Sequence, residues 1–514
     1  MADSLFDNRY RYDYIYPRGR SGETLRAVDT EDRERPVVIK RPAPNDAPPI
    51  RAGQEVSILN ERKALGRLAG HPVLAELLGG GQFFVGGTPH QYIVMERAQG
   101  IILADSVAEL AAQGERVPTL ELLVIVDNLL DLLQIAHARD IVYNDVDAKH
   151  LFWSRDYYRL KVIDWGNAVF LEGDEVTPQG ISRQNDVQQV GELLYLVLTG
   201  GRRAEVPRDA DETFMIDFGQ DNERVGQRLR EIASKALHPN GRVRYQSIAE
   251  LRRALEEVRL PLERERDGVI ARVSERLRYN LSKNDLRGLL NTLNPALADD
   301  PGFPKARQVE DDITNRLRDL DVSADLDAVR IYMEGDNWQR ASDLLHELGE
   351  KAGTQTAATV NLLIDFTNLL LESPVETVPD TVKDAVTLVF EGKPPAAAQM
   401  LLKQSAPTDE GRKLQWLLAE RISSRIPEVL LLRPNLYRLE LSVAALNDDG
   451  RQDGGSLAKS RRILAEINEM LDNLPGTETV DISVLRDGYR GVVDRLTNLN
   501  KLLSTVSVQR HLSN

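Results

Sequence analysis

Cysteine is absent from the 514-residue chain, and that single absence excludes disulfides, thiolate-bound zinc, iron–sulfur clusters and a thiol nucleophile. A long apolar run is missing as well. The longest, Leu120–Ala138, is interrupted by Glu121, Asp127 and Asp131, so it reads as a buried helix and no membrane span is expected. The opening residues MADSLFDNRYRYDY hold no basic stretch followed by an apolar one; no secretory signal is expected, and the protein is expected in the cytoplasm. Excess positive charge is also lacking. Lys and Arg number 65 against 80 Asp and Glu, a formal net charge of −15, which argues against nucleic acid or an anionic membrane as a partner. What remains is an ordinary globular composition, 42% hydrophobic and 28% charged, too apolar for disorder. At about 150 residues per domain the length suits roughly three to four domains, or one large and one or two smaller.

The chain has two parts with different patterning. Up to about Leu262, short β-branched runs bounded by turn formers (Val37–Ile39, Tyr92–Met95, Val162–Ile163) alternate with helical periodicity over Ile58–Leu68, Leu120–Ala138, Val187–Leu198 and Val225–Leu237. Beyond Pro261 the strand signals vanish and amphipathic helix takes over. The expected boundaries are a mixed domain over 1–262, a helical region over 263–447 and a helical hairpin over 456–514. No Gly/Ser-rich linker separates the first two, which predicts that they pack together.

Five polar features occur in order within the first part. Pro17-Arg-Gly19-Arg-Ser-Gly22 is a poor glycine-rich loop, weak by itself because many turns carry two glycines. Eighteen residues after Gly22, the run Val37-Val38-Ile39 delivers Lys40, a cation that can hold phosphate oxygens once a carboxylate fixes it. Glu61, at the opening of a predicted helix, fits that task, although a lone Glu is more often a solvated helix residue. The run Ile93-Val94-Met95 ends in the polar stop Glu96-Arg97-Ala98. Next, Ile141-Val142-Tyr143-Asn144-Asp145-Val146-Asp147-Ala148-Lys149-His150-Leu151-Phe152-Trp153 sets two carboxylates, a lysine and an imidazole between apolar pairs, so the polar groups line a turn. Val162-Ile163-Asp164-Trp165-Gly166 places another carboxylate nineteen residues from Asp145, at the opposite end of a predicted hairpin. Two acids, a lysine and a glycine loop are the parts that phosphoryl transfer with a divalent metal requires.

Taken in order over about 260 residues, these features resemble a eukaryotic-type (Hanks) Ser/Thr protein kinase domain of the kind found in bacteria. IVYNDVDAKHLFW is similar to the catalytic loop, VIDWGNA to the metal-binding segment, NDVQQVGELLYLVLTG to the helix after the activation segment, and HPNGRVRYQSIAEL to the closing helices. The resemblance implies an α+β bilobal domain, here followed by an all-α, helical-repeat-like region, with ATP and Mg²⁺ as cofactors. Gly19 and Gly22 would then belong to the cofactor site. Lys40 would bind the α- and β-phosphates with Glu61 as its anchor. Met95 would be the gatekeeper, the backbones of Glu96 and Ala98 would meet adenine, and Phe152 would contact the cofactor. Asp145 would accept or orient the substrate hydroxyl, and Asp164 would hold the metal. Asp186 would brace the catalytic loop through backbone N–H groups, and Tyr143 would stack on Trp165.

Several positions depart from that pattern. His150 stands where the family has the asparagine that ligates a second metal. An imidazole suits Mn²⁺ or Zn²⁺ better than Mg²⁺, so the alternatives are a lost metal site, a Mn²⁺-preferring site with His150 as ligand, or a repurposed loop. Asp147 replaces the lysine that faces the γ-phosphate, and Lys149 is the candidate substitute in catalysis. Asn144 replaces the arginine that pairs with a phosphorylated activation loop, so no such switch is expected. The activation segment is short, with ten residues between Gly166 and Thr177. Thr177-Pro178-Gln179 stands at the usual Ala-Pro-Glu, and Gln179 cannot ion-pair with Arg244. A protein substrate is therefore expected to dock elsewhere, the helical tail being the candidate recruiter or regulator. Two readings stay open: a Ser/Thr kinase, and a nucleotide-binding pseudokinase scaffold. A small-molecule kinase of the aminoglycoside-phosphotransferase kind suits the trimmed platform, but the Asp186 segment and the RVRYQSIAEL ending suit it less.

In the helical part, Tyr332–Leu345 and Val389–Leu402 align at an offset of 57, with Glu, Gly, Ala and a Leu pair in register. Each reads as helix, glycine-containing turn, helix, similar to a tetratricopeptide-type hairpin though without its full signature; a short α-solenoid and an irregular bundle are both compatible. After Asp448–Gly455, two apolar stripes over Ile463–Leu474 and Leu485–Val506 are joined by Pro475-Gly476. They predict an antiparallel hairpin that packs on the rest of the chain or forms a homodimer.

Overall fold

Val37 and Ile39 point to one side of their strand while Val38 and Lys40 point to the other, and this alternation divides the first sheet into two faces. In the computed structural model, which describes residues 4–425 except 18, 209, 210, 212, 376 and 404–407, six antiparallel strands form that sheet: β1 (Ser4–Phe6), β2 (Tyr10–Ile15), β3 (Glu23–Asp29), β4 (Arg35–Arg41), β5 (Leu77–Val85) and β6 (Thr88–Glu96). Their order is β1-β2-β3-β4-β6-β5. Phe6, Tyr10, Leu25, Ala27, Val37, Ile39, Tyr92 and Val94 make a small core on one face. The other face carries Val38, Lys40, Ile93 and Met95 toward α1 (Pro48–Arg67), whose Ile58, Ala64 and Leu65 join the main core.

That main core belongs to a helical lobe. A two-residue strand β7 (Ile101–Ile102) leads into α2 (Leu103–Ala112) and α3 (Thr119–Ala138). α3 is apolar nearly all round, with Leu122, Ile125, Val126, Leu129, Leu130, Leu132 and Leu133 all buried, which marks a central helix. The strands β8 (Ile141–Val142), β9 (Leu151–Ser154), β10 (Arg159–Val162) and β11 (Val169–Phe170) follow. β9 and β10 form a hairpin with β7 beside β9, and β8 pairs with β11. Then come α4 (Arg183–Leu198), α5 (Gln227–Leu237) and α6 (Ile248–Arg276). Ser182 caps α4 in a capping box and Ser247 caps α6.

The chain forms two compact units, divided between Asp311 and Asp312. The boundary expected near residue 262 falls inside α6, which runs unbroken through Pro261. A proline inside a helix costs roughly 3 kcal/mol, which is why it read as a stop. The first unit continues through α7 (Lys283–Asp299), with Ile270, Val273, Leu286 and Leu293 buried.

α8 (Pro304–Glu334) crosses from one unit to the other in sequence. The second unit adds α9 (Trp338–Gly349), α10 (Thr354–Glu372), α11 (Asp380–Phe390), α12 (Pro394–Lys403) and α13 (Asp409–Arg425) around its own apolar cluster. Both aligned stretches are helix–turn–helix, and the aligned Ala341 and Ala398 are both fully buried. Asp319 accepts hydrogen bonds from the Gln355 and Thr356 N–H groups and so caps the start of α10. No strand occurs beyond Phe170 among the described residues, and no helix among them is long and apolar enough to cross a membrane. The hairpin expected over 456–514 lies outside the described residues, as does the end of the 263–447 region.

Candidate active site

Lys40 ends the inward face of β4, and its ammonium is almost wholly buried. It donates to Glu61 Oε1 and Oε2 at 2.8 and 2.7 Å and to Asp164 Oδ1 at 3.0 Å. Burial pulls the Lys40 pKa down, but the charges of Glu61 and Asp164 outweigh it and hold the ammonium above its ordinary value. Glu61 also accepts the Trp165 N–H. It sits well inside α1, not at a helix opening as the sequence suggested. Asp164 follows β10 in the left-handed region at φ +65°, a conformation uncommon for a non-glycine residue. Burial raises its carboxyl and the Lys40 and His150 charges lower it, with a net value below the usual carboxylate range.

The turn between β8 and β9 is fixed from below by Asp186, a fully buried residue in the first turn of α4. Its Oδ2 accepts the Tyr143 N–H at 3.0 Å and lies 2.7 Å from His137 Nε2, and its Oδ1 accepts the Asn144 N–H at 2.7 Å. Three donors on one carboxylate offset the cost of burying it. Tyr143 meets Trp165 at 4.4 Å between ring centroids and donates its hydroxyl to the Ile163 carbonyl at 2.6 Å. The expected brace and the expected aromatic pair are therefore both present. His137 was not singled out from the sequence; a polar residue in the last turn of an otherwise buried helix was its signal.

Asp145, His150 and Asp164 converge. One ligand atom from each lies within 4.8 Å of the others. Asn167 donates to Asp145 Oδ2 at 2.9 Å; this residue stands in the quoted VIDWGNA motif but was given no role. His150 Nδ1 is 3.0 Å from the Asp145 carbonyl oxygen, and its Nε2 is 3.4 Å from Asp164 Oδ2. Two carboxylates and an imidazole within that span form a donor set that fits one divalent cation.

The remaining sequence candidates are placed as follows. Gly19 and Gly22 bridge one another across a tight turn, and Ser21 there meets Ser57 of α1 through their hydroxyls at 3.1 Å. Gly22 has φ +107°, and a Cβ there would collide with the Arg41 carbonyl at 2.3 Å. Met95 is buried where β6 meets α1. Glu96 gives its N–H to the Glu76 carbonyl, and its carboxylate accepts from Lys161 Nζ at 2.7 Å. Ala98 lies in the irregular segment after β6, and Phe152 is half-buried on β9 opposite Lys161. Lys149 turns to Asp147 at 3.1 Å, both side chains being well exposed. Arg244, with no glutamate at position 179, donates to the His238 and Gln184 carbonyls.

No family model matches the chain. Over 218 residues it is 26% identical to serine/threonine-protein kinase PknB of Mycobacterium tuberculosis, covering 37% of this chain and 33% of that protein. It is 25% identical to PknB of Mycobacterium leprae over 211 residues and to that of Mycolicibacterium smegmatis over 212. The chain contains a kinase-like domain. The match spans about a third of the length of these relatives, 32–33%. The curled antiparallel sheet followed by helices is compatible with that likeness.

Proposed function

We propose that the first unit binds ATP with a divalent cation and transfers the γ-phosphoryl group to a Ser or Thr hydroxyl of a protein substrate. The observation that carries this reading is Lys40, held between Glu61 and Asp164 with Asp145 in the same cluster. Lys40, positioned by Glu61, would donate to the α- and β-phosphates, with Gly19, Gly22, Met95, the Glu96 and Ala98 backbones and Phe152 around the nucleotide. When bound, the cation would be held by Asp164 and His150 and would neutralise phosphate charge. Asp145, oriented by Asn167, would take the proton of the substrate hydroxyl. The hydroxyl oxygen would then bond to the γ-phosphorus as the bond to the ADP oxygen breaks. The backbone of that loop is held by Asp186, so the carboxylate need not be reorganised at the moment of transfer. The helical tail would recruit or regulate protein partners, in the cytoplasm.

A second reading, a nucleotide-binding pseudokinase scaffold, is favoured by one observation. Lys149, the cation that would face the γ-phosphate in place of residue 147, is paired with Asp147 instead. The two readings are separated by titrating ATP with Mg²⁺ or Mn²⁺ against thermal stability while following phosphate transfer from γ-labelled ATP, with Asp164→Ala as control. Stabilisation lost in Asp164→Ala, together with transfer, supports the kinase. Stabilisation without transfer supports the scaffold, and no stabilisation with either metal overturns both.

A further inference from the structure

We propose that His150 is itself a metal ligand, and that with Asp164 it makes this site select Mn²⁺ over Mg²⁺. The inference rests on the nucleotide site proposed above and adds the identity of its cation. The imidazole is nearly buried, its side chain 6% exposed, and it is held in the short turn Ala148–His150 that precedes β9. Its Nδ1 lies 3.0 Å from the Asp145 backbone oxygen. A carbonyl can only accept, so Nδ1 carries the hydrogen. The other ring nitrogen, Nε2, faces Asp164 Oδ2 at 3.4 Å. A cation between the two would take one donor atom from each. Metal-binding histidines recurrently spend the other ring N–H on a backbone carbonyl, which fixes the tautomer and the ring direction.

The spacing suits a single ion. Ligands about 2.1 Å from a common centre stand roughly 3–4.2 Å apart, and the Nε2–Oδ2 separation of 3.4 Å lies within that range. The donor chemistry then decides the metal. Mg²⁺ demands oxygen ligands in near-ideal octahedra and gives up water reluctantly. Mn²⁺ takes carboxylate and phosphate oxygens as readily and tolerates an imidazole nitrogen beside them. The selection depends on His150 and Asp164, so Asp145 remains available for the substrate hydroxyl.

The test is electron paramagnetic resonance on the full chain, with Mn²⁺ alone and then with Mn²⁺ and ATP, Mg²⁺ being added as competitor. Pulsed measurements should detect nitrogen coupling to the bound Mn²⁺, and the pattern should change from ¹⁴N to ¹⁵N in protein grown with ¹⁵N-histidine. In folded His150→Asn the coupling should vanish and the Mn²⁺/Mg²⁺ preference should fall about tenfold, which is about 1.4 kcal/mol. Bound Mn²⁺ without isotope-sensitive coupling, or an unchanged preference in His150→Asn, overturns the inference. So does failure of Mn²⁺ to bind in either condition. Nucleotide binding is followed in parallel with a fluorescent ATP analogue. Its failure would sink the kinase reading, while histidine coordination is still decided by the titration with Mn²⁺ alone.

Discussion

Tyr158, in the turn between β9 and β10, donates a 2.6 Å hydrogen bond to Asp300, 142 residues further along the chain. The same carboxylate oxygen receives Arg266 from α6 at 2.6 Å, and the Arg266 guanidinium lies 3.4 Å from the centre of the Phe303 ring. Helices beyond the boundary expected from sequence are thus fastened to the hairpin whose other end carries His150 and Asp164. Burial pushes the Asp300 carboxyl up, with the Tyr158 and Arg266 bonds pulling it back, so the pair balances desolvation against charge.

Removing that carboxylate should therefore be costly. Asp300→Ala leaves the guanidinium of Arg266, 6% exposed, with the exposed Asp267 at 3.0 Å as its acid partner, and a loss of about 2 kcal/mol is expected. Chemical denaturation of the full chain reads it. Truncation at residue 262 should be worse, because it also removes α7, which packs against α3 and α6. A loss below about 1 kcal/mol for Asp300→Ala would mean that the clamp adds little.

Asp145→Asn keeps the size and the Asn167 contact but cannot take a proton. Transfer should fall by about 10²–10⁴, while nucleotide affinity changes little because Lys40, Glu61 and Asp164 are untouched. Rates with γ-labelled ATP, beside a nucleotide titration of the same variant, check both halves. Full transfer in Asp145→Asn would remove the assigned role of Asp145.

The activation segment should work without phosphorylation. β11 pairs with β8, and the Phe170 ring sits 4.0 Å from Lys63 Nζ and 5.0 Å from the Arg67 guanidinium carbon, both on α1. These contacts, each worth about 0.5–1 kcal/mol at an exposed site, join the segment to the helix that carries Glu61. Phosphatase-treated protein should transfer phosphate at an unchanged rate, and Phe170→Ala should slow it several-fold. A strict need for phosphorylation would show that the segment is held by other means.

How far the sequence revealed this site varied with the residue. Lys40 stood out because an apolar β-branched run delivers a cation to its end. Asp145, His150 and Asp164 stood out because polar groups were set between short apolar pairs. α1 was half hidden because its pattern is inverted. Gln54 and Glu61 are buried, while Ile50, Val56 and Leu59 are 54%, 58% and 43% exposed, so hydrophobic periodicity could not locate its start. β5 begins Leu77-Leu78-Gly79-Gly80-Gly81 and was missed because glycine weakens every strand signal. Asp300 and Tyr158 could not be paired from sequence at all, since nothing local to either residue announces the other.

The sheet lobe should lose stability in acid through one identifiable contact. Asp29, at the end of β3, accepts Arg9 Nε and Nη2 at 2.8 and 2.6 Å and the Glu31 N–H at 3.1 Å. The Arg9 bond holds its carboxyl below the usual range, with burial opposing and the backbone bond helping. A carboxyl depressed in the folded state stabilises fully above its unfolded value of about 3.9, and that contribution is lost as pH falls through the lower folded value. Arg9 is 41% exposed, so solvent screening limits the contribution to about 1 kcal/mol. Asp29→Asn should therefore melt at a lower temperature than the unmodified protein by a constant margin above about pH 5, and the margin should close as pH falls below about 4. Thermal melts of the two proteins across that range decide it. A margin that persists unchanged to about pH 2 would mean that the loss comes from hydrogen-bond geometry and not from the Asp29 charge.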